Sequence, residues 1–142
     1  MIRAGDEEAW EIDMPDVLAE VRSGWLASRG SQFLDAIHGA IVETLHTPED
    51  DKVLRLVEHP AERFAIPGSA GERYTHIAIT MFAGRTLATK RALYQAIVRN
   101  LEPFGVPPKD VKIILIEVSA DSVGMRGGIA ACDLEIGYEI RL

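Results

Sequence analysis

Met14-Pro15 stands at the head of an apolar run in EIDMPDVLAEV, residues 11–21. A chain that begins Met-Pro before a strand can expose a proline amine after processing. Here the pair is internal. With residue 14 attached, the Pro15 nitrogen is a tertiary amide, with no basicity and no N–H. The alternative reading is a proline at the first residue of a strand, a position where proline is well tolerated. Arg85, in AGRT, sits at the start of a predicted helix. Arginine beside free helix N–H groups makes an anion site; the alternative is a solvated surface arginine. Asp51 in PEDDK falls between a helix and a strand, where acids are usually solvated turn residues. Lys112 reads as a charge on a strand edge. His38 lies beside an apolar helical stripe and reads as a partly buried, hydrogen-bonded histidine. Cys132 follows GIAA with no histidine partner nearby in sequence and reads as a small structural hydrophobe.

Composition bounds the remaining classes. A chain of 142 residues suggests one domain or two small fused units, long enough to bury a core without metals or disulfides. Cys132 is the single cysteine, so an intrachain disulfide and a four-cysteine zinc site are excluded. No metal or cofactor is expected. The net charge of −7 argues against a nucleic-acid partner, which needs a basic face. No apolar run approaches the ~20 residues of a membrane span. The acidic segment 1–13, MIRAGDEEAWEID, has no apolar stretch of the signal-peptide kind, so a cytoplasmic protein is expected. That segment reads as an extension ahead of a single domain at 14–142.

A repeat organises that domain. Residues 15–24 read as a strand ending at Gly24. Residues 29–46 carry Phe33, Leu34, Ile37, Ile41 and Leu45 at helical spacing. TPEDD breaks that helix, and 52–59 read as a strand. The pattern then recurs. A strand over 74–84 ends at Gly84, and a helix over 86–105 has Leu93, Ile97 and Leu101 on one face. VPPKD breaks it, and 111–118 form a strand. Gly24 to Pro48 and Gly84 to Pro108 have the same separation. Two βαβ units follow, a pseudo-repeat at 15–60 and 74–118.

A helical crossover makes the strands of each unit parallel. The expected fold is α+β: a four-stranded, mainly parallel-paired sheet with two helices on one face. HIAITMF and IILIEV are apolar at nearly every position, which implies burial on both faces. Two helices cover one face, so the pattern predicts self-association. The glycine-rich stretch 121–128 reads as a turn. LEIGYEIRL, 134–142, alternates strictly and reads as a half-buried C-terminal strand, the pair forming a hairpin over 121–142.

Taken in order, these elements resemble the tautomerase superfamily, in its long branch of fused 4-oxalocrotonate tautomerase-like βαβ pairs. The similarity runs from Met14 to Leu142 and rests on Met14-Pro15 opening the first strand and Gly24 closing it. LDAIHGAIVETL, TPEDD, ITMFAGRTLATKRALYQAIV, PPKDVKIILIEV and GMRGGIAACDLEIGYEI add to it. The resemblance implies a homotrimer acting on a small enol or unsaturated carboxylate, with an amino-terminal proline amine as the catalytic group. A free α-amine titrates at roughly 8, and a dry pocket with nearby cations lowers that value. The neutral amine is then a general base near neutral pH.

Carried over by position, the resemblance implies Pro15 as the catalytic proline and Arg85 as the carboxylate-binding arginine. It implies Asp51 as an acid assisting proline or water, and Arg126, in GMRGG, at the pocket mouth. Lys112 falls where some members place an arginine from a neighbouring subunit. Trp25 replaces an arginine that single-unit members carry after the first glycine, and reads as pocket wall or packing. Two departures stand out: Ala83 where the decarboxylase branch has a further arginine, and Val123 where relatives have an aromatic.

Overall fold

The structure, a computed structural model, describes residues 15–134. The predicted extension and the alternating segment after Leu134 lie outside the described residues. Eight elements follow in order: β1 (Asp16–Arg22), α1 (Gly30–Leu45), β2 (Val53–His59), β3 (Thr75–Phe82), α2 (Leu87–Leu101), β4 (Val111–Val118), and a short hairpin of β5 (Gly124–Met125) and β6 (Ile129–Ala130).

The main sheet has the order β2-β1-β3-β4. Each βαβ unit is parallel, with Asp16 beside Val53 and Thr75 beside Val111. The two units meet antiparallel through β1 and β3, with Asp16 opposite Thr80. The expected α+β architecture is therefore the observed one, with a mixed sheet whose one antiparallel junction among the described residues joins the repeats. Gly24 and Gly84 end the first strand of their units at φ of 112° and 131°. Side chains are strained there, which is why both repeats place glycine at that point.

One sheet face and both helices enclose the core. Val17, Ala19, Val21, Ile77, Ile79 and Met81 point under the helices and are fully or almost fully buried. From above come Phe33, Ile37, Ile41 and Leu45 of α1, and Leu93, Ile97 and Leu101 of α2. The helices are tied across their tops by Asn100 Nδ2 donating to the Ala36 carbonyl at 3.0 Å and by an Arg99–Glu43 pair at 2.6 Å. α2 stops before the sequence pattern suggests. Pro103 cannot continue an α-helix, so residues Glu102–Phe104 form a 3-10 turn closed by Gly105 at φ 80°.

Among the described residues, the opposite sheet face is largely open. Val53, Val57, Ile114 and Ile116 are exposed on it, Val53 by 50%. Leu18 and Ala78 share the face, with Arg55 paired to Asp16 at 3.3 Å and His59 to Glu20 at 3.0 Å. This is the face left uncovered in the expectation of self-association.

The connection between the units is pinned by Asp110, which is 1% exposed. Its carboxylate accepts from the Gly71 N–H and from Lys109 Nζ, each at 3.0 Å. Burial alone would raise its pKa. The Lys109 and Gly71 hydrogen bonds and the Lys109 charge outweigh burial and hold the carboxyl below its ordinary value. A group lowered on folding stabilises the protein above its unfolded pKa, and that contribution fades as pH falls through the folded value. Asp110→Ala is expected to cost about 1–3 kcal/mol at neutral pH, because it removes a buried carboxylate's hydrogen bonds to the Gly71 N–H and Lys109. The gap between wild type and variant in urea unfolding should narrow below about pH 4.

Candidate functional site

The antiparallel junction brings the starts of β1 and β2 to the same sheet end as the finishes of β3 and β4. Pro15 is buried immediately before β1. Asp51 is half-buried two residues before β2, and the β1–β2 register places Pro15 level with Lys52, beside it. Arg85 follows β3 and is also half-buried at this end. Three residues far apart in the chain thus share one edge of the sheet.

Arg85 is held by the helix of the other unit. Its Nη1 donates to the Leu45 carbonyl at 3.1 Å. Leu45 is the last residue of α1, and terminal carbonyls of a helix have no partner within it. Thr86 follows as the N-cap of α2, its Oγ1 accepting from the Thr89 N–H at 3.1 Å. The guanidinium therefore leaves the chain just ahead of the free N–H groups of a helix, the geometry read from AGRT.

Asp51 belongs to the loop between α1 and β2. His46 closes α1 in the left-handed conformation at φ 60°, its N–H donating to the Val42 carbonyl at 3.0 Å. A turn brings the Asp51 N–H to the Pro48 carbonyl at 3.2 Å. His38 reaches this loop from within α1. Its Nε2 lies 2.6 Å from the Glu49 carbonyl, and because a carbonyl only accepts, Nε2 carries the proton. His38 is 8% exposed, the buried and bonded helix histidine expected.

A small apolar cluster closes the same end. Phe82, Ala120 and Ala131 are buried, with Val118, Val123 and Met125 packed against them. It holds the hairpin, whose tip is Arg126, Gly127 and Gly128, all at positive φ. Arg126 is exposed at φ 46°. Val123 packs here in the place the resemblance assigns to an aromatic.

Two expected residues do not join this group within one chain. Trp25 follows Gly24 at the other end of β1, which at about 3.3 Å per residue is roughly 20 Å away. It packs edge-on to Phe33 at 5.7 Å, and the Arg73 guanidinium lies 5.4 Å from its ring centre. Lys112, near the start of β4, is at that end as well, exposed on the open face beside His76. Cys132 departs from its expected place in a core. It is exposed. Partial desolvation, then the charges of Asp133 and Asp121, push its thiol pKa up, which disfavours the reactive thiolate. Among the described residues, no group of three His, Cys, Asp or Glu side chains could hold a metal ion. No helix of the described residues is long and apolar enough to cross a membrane. The role of the Leu45 carbonyl in holding Arg85 was not legible in sequence, since no residue type marks a carbonyl that a distant side chain will use.

Comparison with known proteins agrees with this fold. A family model described as tautomerase enzyme matches residues 51–126, more than half of the chain. The probable tautomerase YusQ of Bacillus subtilis (strain 168) is 30% identical over 112 residues, covering 72% of this chain and 85% of that protein. FG41 malonate semialdehyde decarboxylase, solved inhibited by 3-bromopropiolate, is 26% identical with a TM-score of 0.71, covering 81% of this chain and 92% of its own. Pt0534, solved inactivated by 2-oxo-3-pentynoate, is 25% identical with a TM-score of 0.73, covering 81% and 94%. A fused 4-OT solved as a symmetric trimer shares the fold, with a TM-score of 0.75 at 20% identity and coverage of 83% and 98%. By its fused βαβ units, its family match and its similarity to these proteins, the chain belongs to the tautomerase superfamily.

Proposed function

We propose that this sheet end is a site for proton transfer on a small enol or unsaturated carboxylate, working when Pro15 is the amino terminus. The observation that carries the reading is the convergence of Pro15, Asp51 and Arg85. Arg85 supplies a rigid cation for the substrate carboxylate, and its bidentate fork suits that group. The Pro15 amine, buried and near that cation, is disfavoured in its charged form and serves as the base. Asp51, alongside, assists the transfer. Arg126 at the hairpin tip lines the mouth. Keto-enol isomerisation is preferred over decarboxylation because Ala83 stands where the decarboxylase branch carries its second arginine. The two named structural relatives at 25–26% identity were solved with 3-bromopropiolate and 2-oxo-3-pentynoate, which supports a small unsaturated acid as the substrate class.

When residue 14 precedes it, Pro15 has no amine, and the same fold is then a binding or assembly scaffold, or a divergent enzyme that works without the proline. The domain reading remains an extension at 1–13 ahead of one tautomerase-like domain at 14–142. A homotrimer fits both forms. Its support is the exposed apolar row of Val53, Val57, Ile114 and Ile116 and the fused 4-OT neighbours solved as trimers. In such a trimer Lys112 and Trp25 serve a neighbour's site. A cytoplasmic location rests on the sequence reading alone.

Four outcomes test this reading. The full-length chain should show no proline-dependent turnover of phenylenolpyruvate, whereas a chain starting at Pro15 gains it. In that form Arg85→Ala should lower kcat/KM about 10- to 100-fold, the loss of one charged hydrogen bond. A folded but inert Pro15 form would sink the proposal. Light scattering should give a trimer for the full chain, and Ile114→Lys should shift it toward monomer, because a charge on that face opposes burial. Arg126→Gly relieves a left-handed arginine and should be neutral to about 1 kcal/mol stabilising in thermal unfolding. Yet it should raise KM for the carboxylate if the tip binds it.

A further inference from the structure

The loop that carries Asp51 is fastened at its middle to α1 by one buried side chain. We propose that His38 is a positioning residue for Asp51, fixing where that carboxylate stands relative to Pro15 and Arg85. The inference rests on the proposed role of Asp51 at the site.

Three observations combine. His38 is buried on the core side of α1, beside Ile37 and Ile41, so its ring has little freedom to swing. Its Nε2–H donates at 2.6 Å to the carbonyl of Glu49, two residues before Asp51. The turn from Pro48 to Asp51 passes this restraint on, since the Asp51 N–H closes onto the Pro48 carbonyl at 3.2 Å. Thr47 anchors the start of the loop by burial, but Glu49 and Asp50 at its middle are exposed, so their side chains do not hold it there. Arg85 is fastened to the same helix, at the Leu45 carbonyl. α1 therefore serves as one fixture for both groups: His38 grips the segment bearing the acid, and the helix end grips the arginine. Misplacing a catalytic group by about 1 Å can cost 10²-fold in rate, so loosening the carbonyl that His38 grips is a plain route to such a loss.

This predicts a division in the kinetics. Arg85 binds the carboxylate whether or not the Asp51 loop is held, so loosening the loop should lower kcat and leave KM near its wild-type value. His38→Leu keeps the apolar surroundings filled and removes the donor. His38→Gln keeps an N–H donor at nearly the reach of Nε2 and should restore the restraint.

The test has two readouts. Amide hydrogen exchange on the full-length chain should show the Asp51 N–H exchanging about tenfold faster in His38→Leu, relative to the core amides of β3, and near wild type in His38→Gln. In the form starting at Pro15, His38→Leu should reduce kcat about tenfold with KM unchanged. The same substitution added to Asp51→Asn should cost little more, because the group it positions is already gone. Unchanged exchange in His38→Leu overturns the proposal, and so does faster exchange with kcat intact. If exchange rises but no variant or wild type turns over any enol acid, the functional reading fails separately. His38 is then a structural tether with nothing to position, which also overturns the proposal.

Discussion

Everything at the site depends on the antiparallel contact between β1 and β3. Within each repeat the helical crossover forces parallel strands, and parallel strands alone would set the two repeats' starts side by side. The reversal at the junction instead lays the beginning of one repeat against the end of the other. Pro15 and Asp51 come from strand starts, while Arg85 and the hairpin come from strand finishes. No single βαβ unit could bring these groups together.

The two faces of the sheet obey different constraints. The face under the helices is sealed by branched and aromatic side chains from both repeats, and its central residues are almost wholly buried. The other face mixes Leu18, Ala78, Ile114 and Ile116 with the Asp16–Arg55 and Glu20–His59 pairs. Polar pairs at the margins of an apolar surface are the composition of a contact surface rather than of a core. The fold thus presents a finished interior on one side and an adhesive plate on the other.

Much of this architecture is legible in the residues. The helices follow from Phe33-Ile37-Ile41-Leu45 and Leu93-Ile97-Leu101, and the strand ends from Gly24 and Gly84, because periodicity and positive φ are local properties. The site is legible only in part. Arg85 could be placed because a glycine, an arginine and an N-cap threonine adjoin in sequence. The separation of Trp25 from Pro15 follows from their lying at opposite ends of one strand, but that of Lys112 does not show in sequence, because it follows from the direction of β4 across the sheet. Cys132 reads in sequence as a small structural hydrophobe, yet it lies exposed in a 3-10 turn. The apolar stripe marks His38 as a bonded histidine, but its partner is a backbone carbonyl in the next loop, which sequence does not mark.

The matched glycines carry one more consequence. Superposing Gly24 on Gly84 sets Pro15 on Thr75 and Trp25 on Arg85. The sheet therefore has two ends related by the internal repeat, and the duplication has left them unequal. One inherits a proline from the first half and an arginine from the second; its counterpart inherits a threonine and a tryptophan. Neither half of the chain alone supplies both the proline and the arginine of that end. The second end also draws on both halves, with Trp25 from the first and Lys112 from the second.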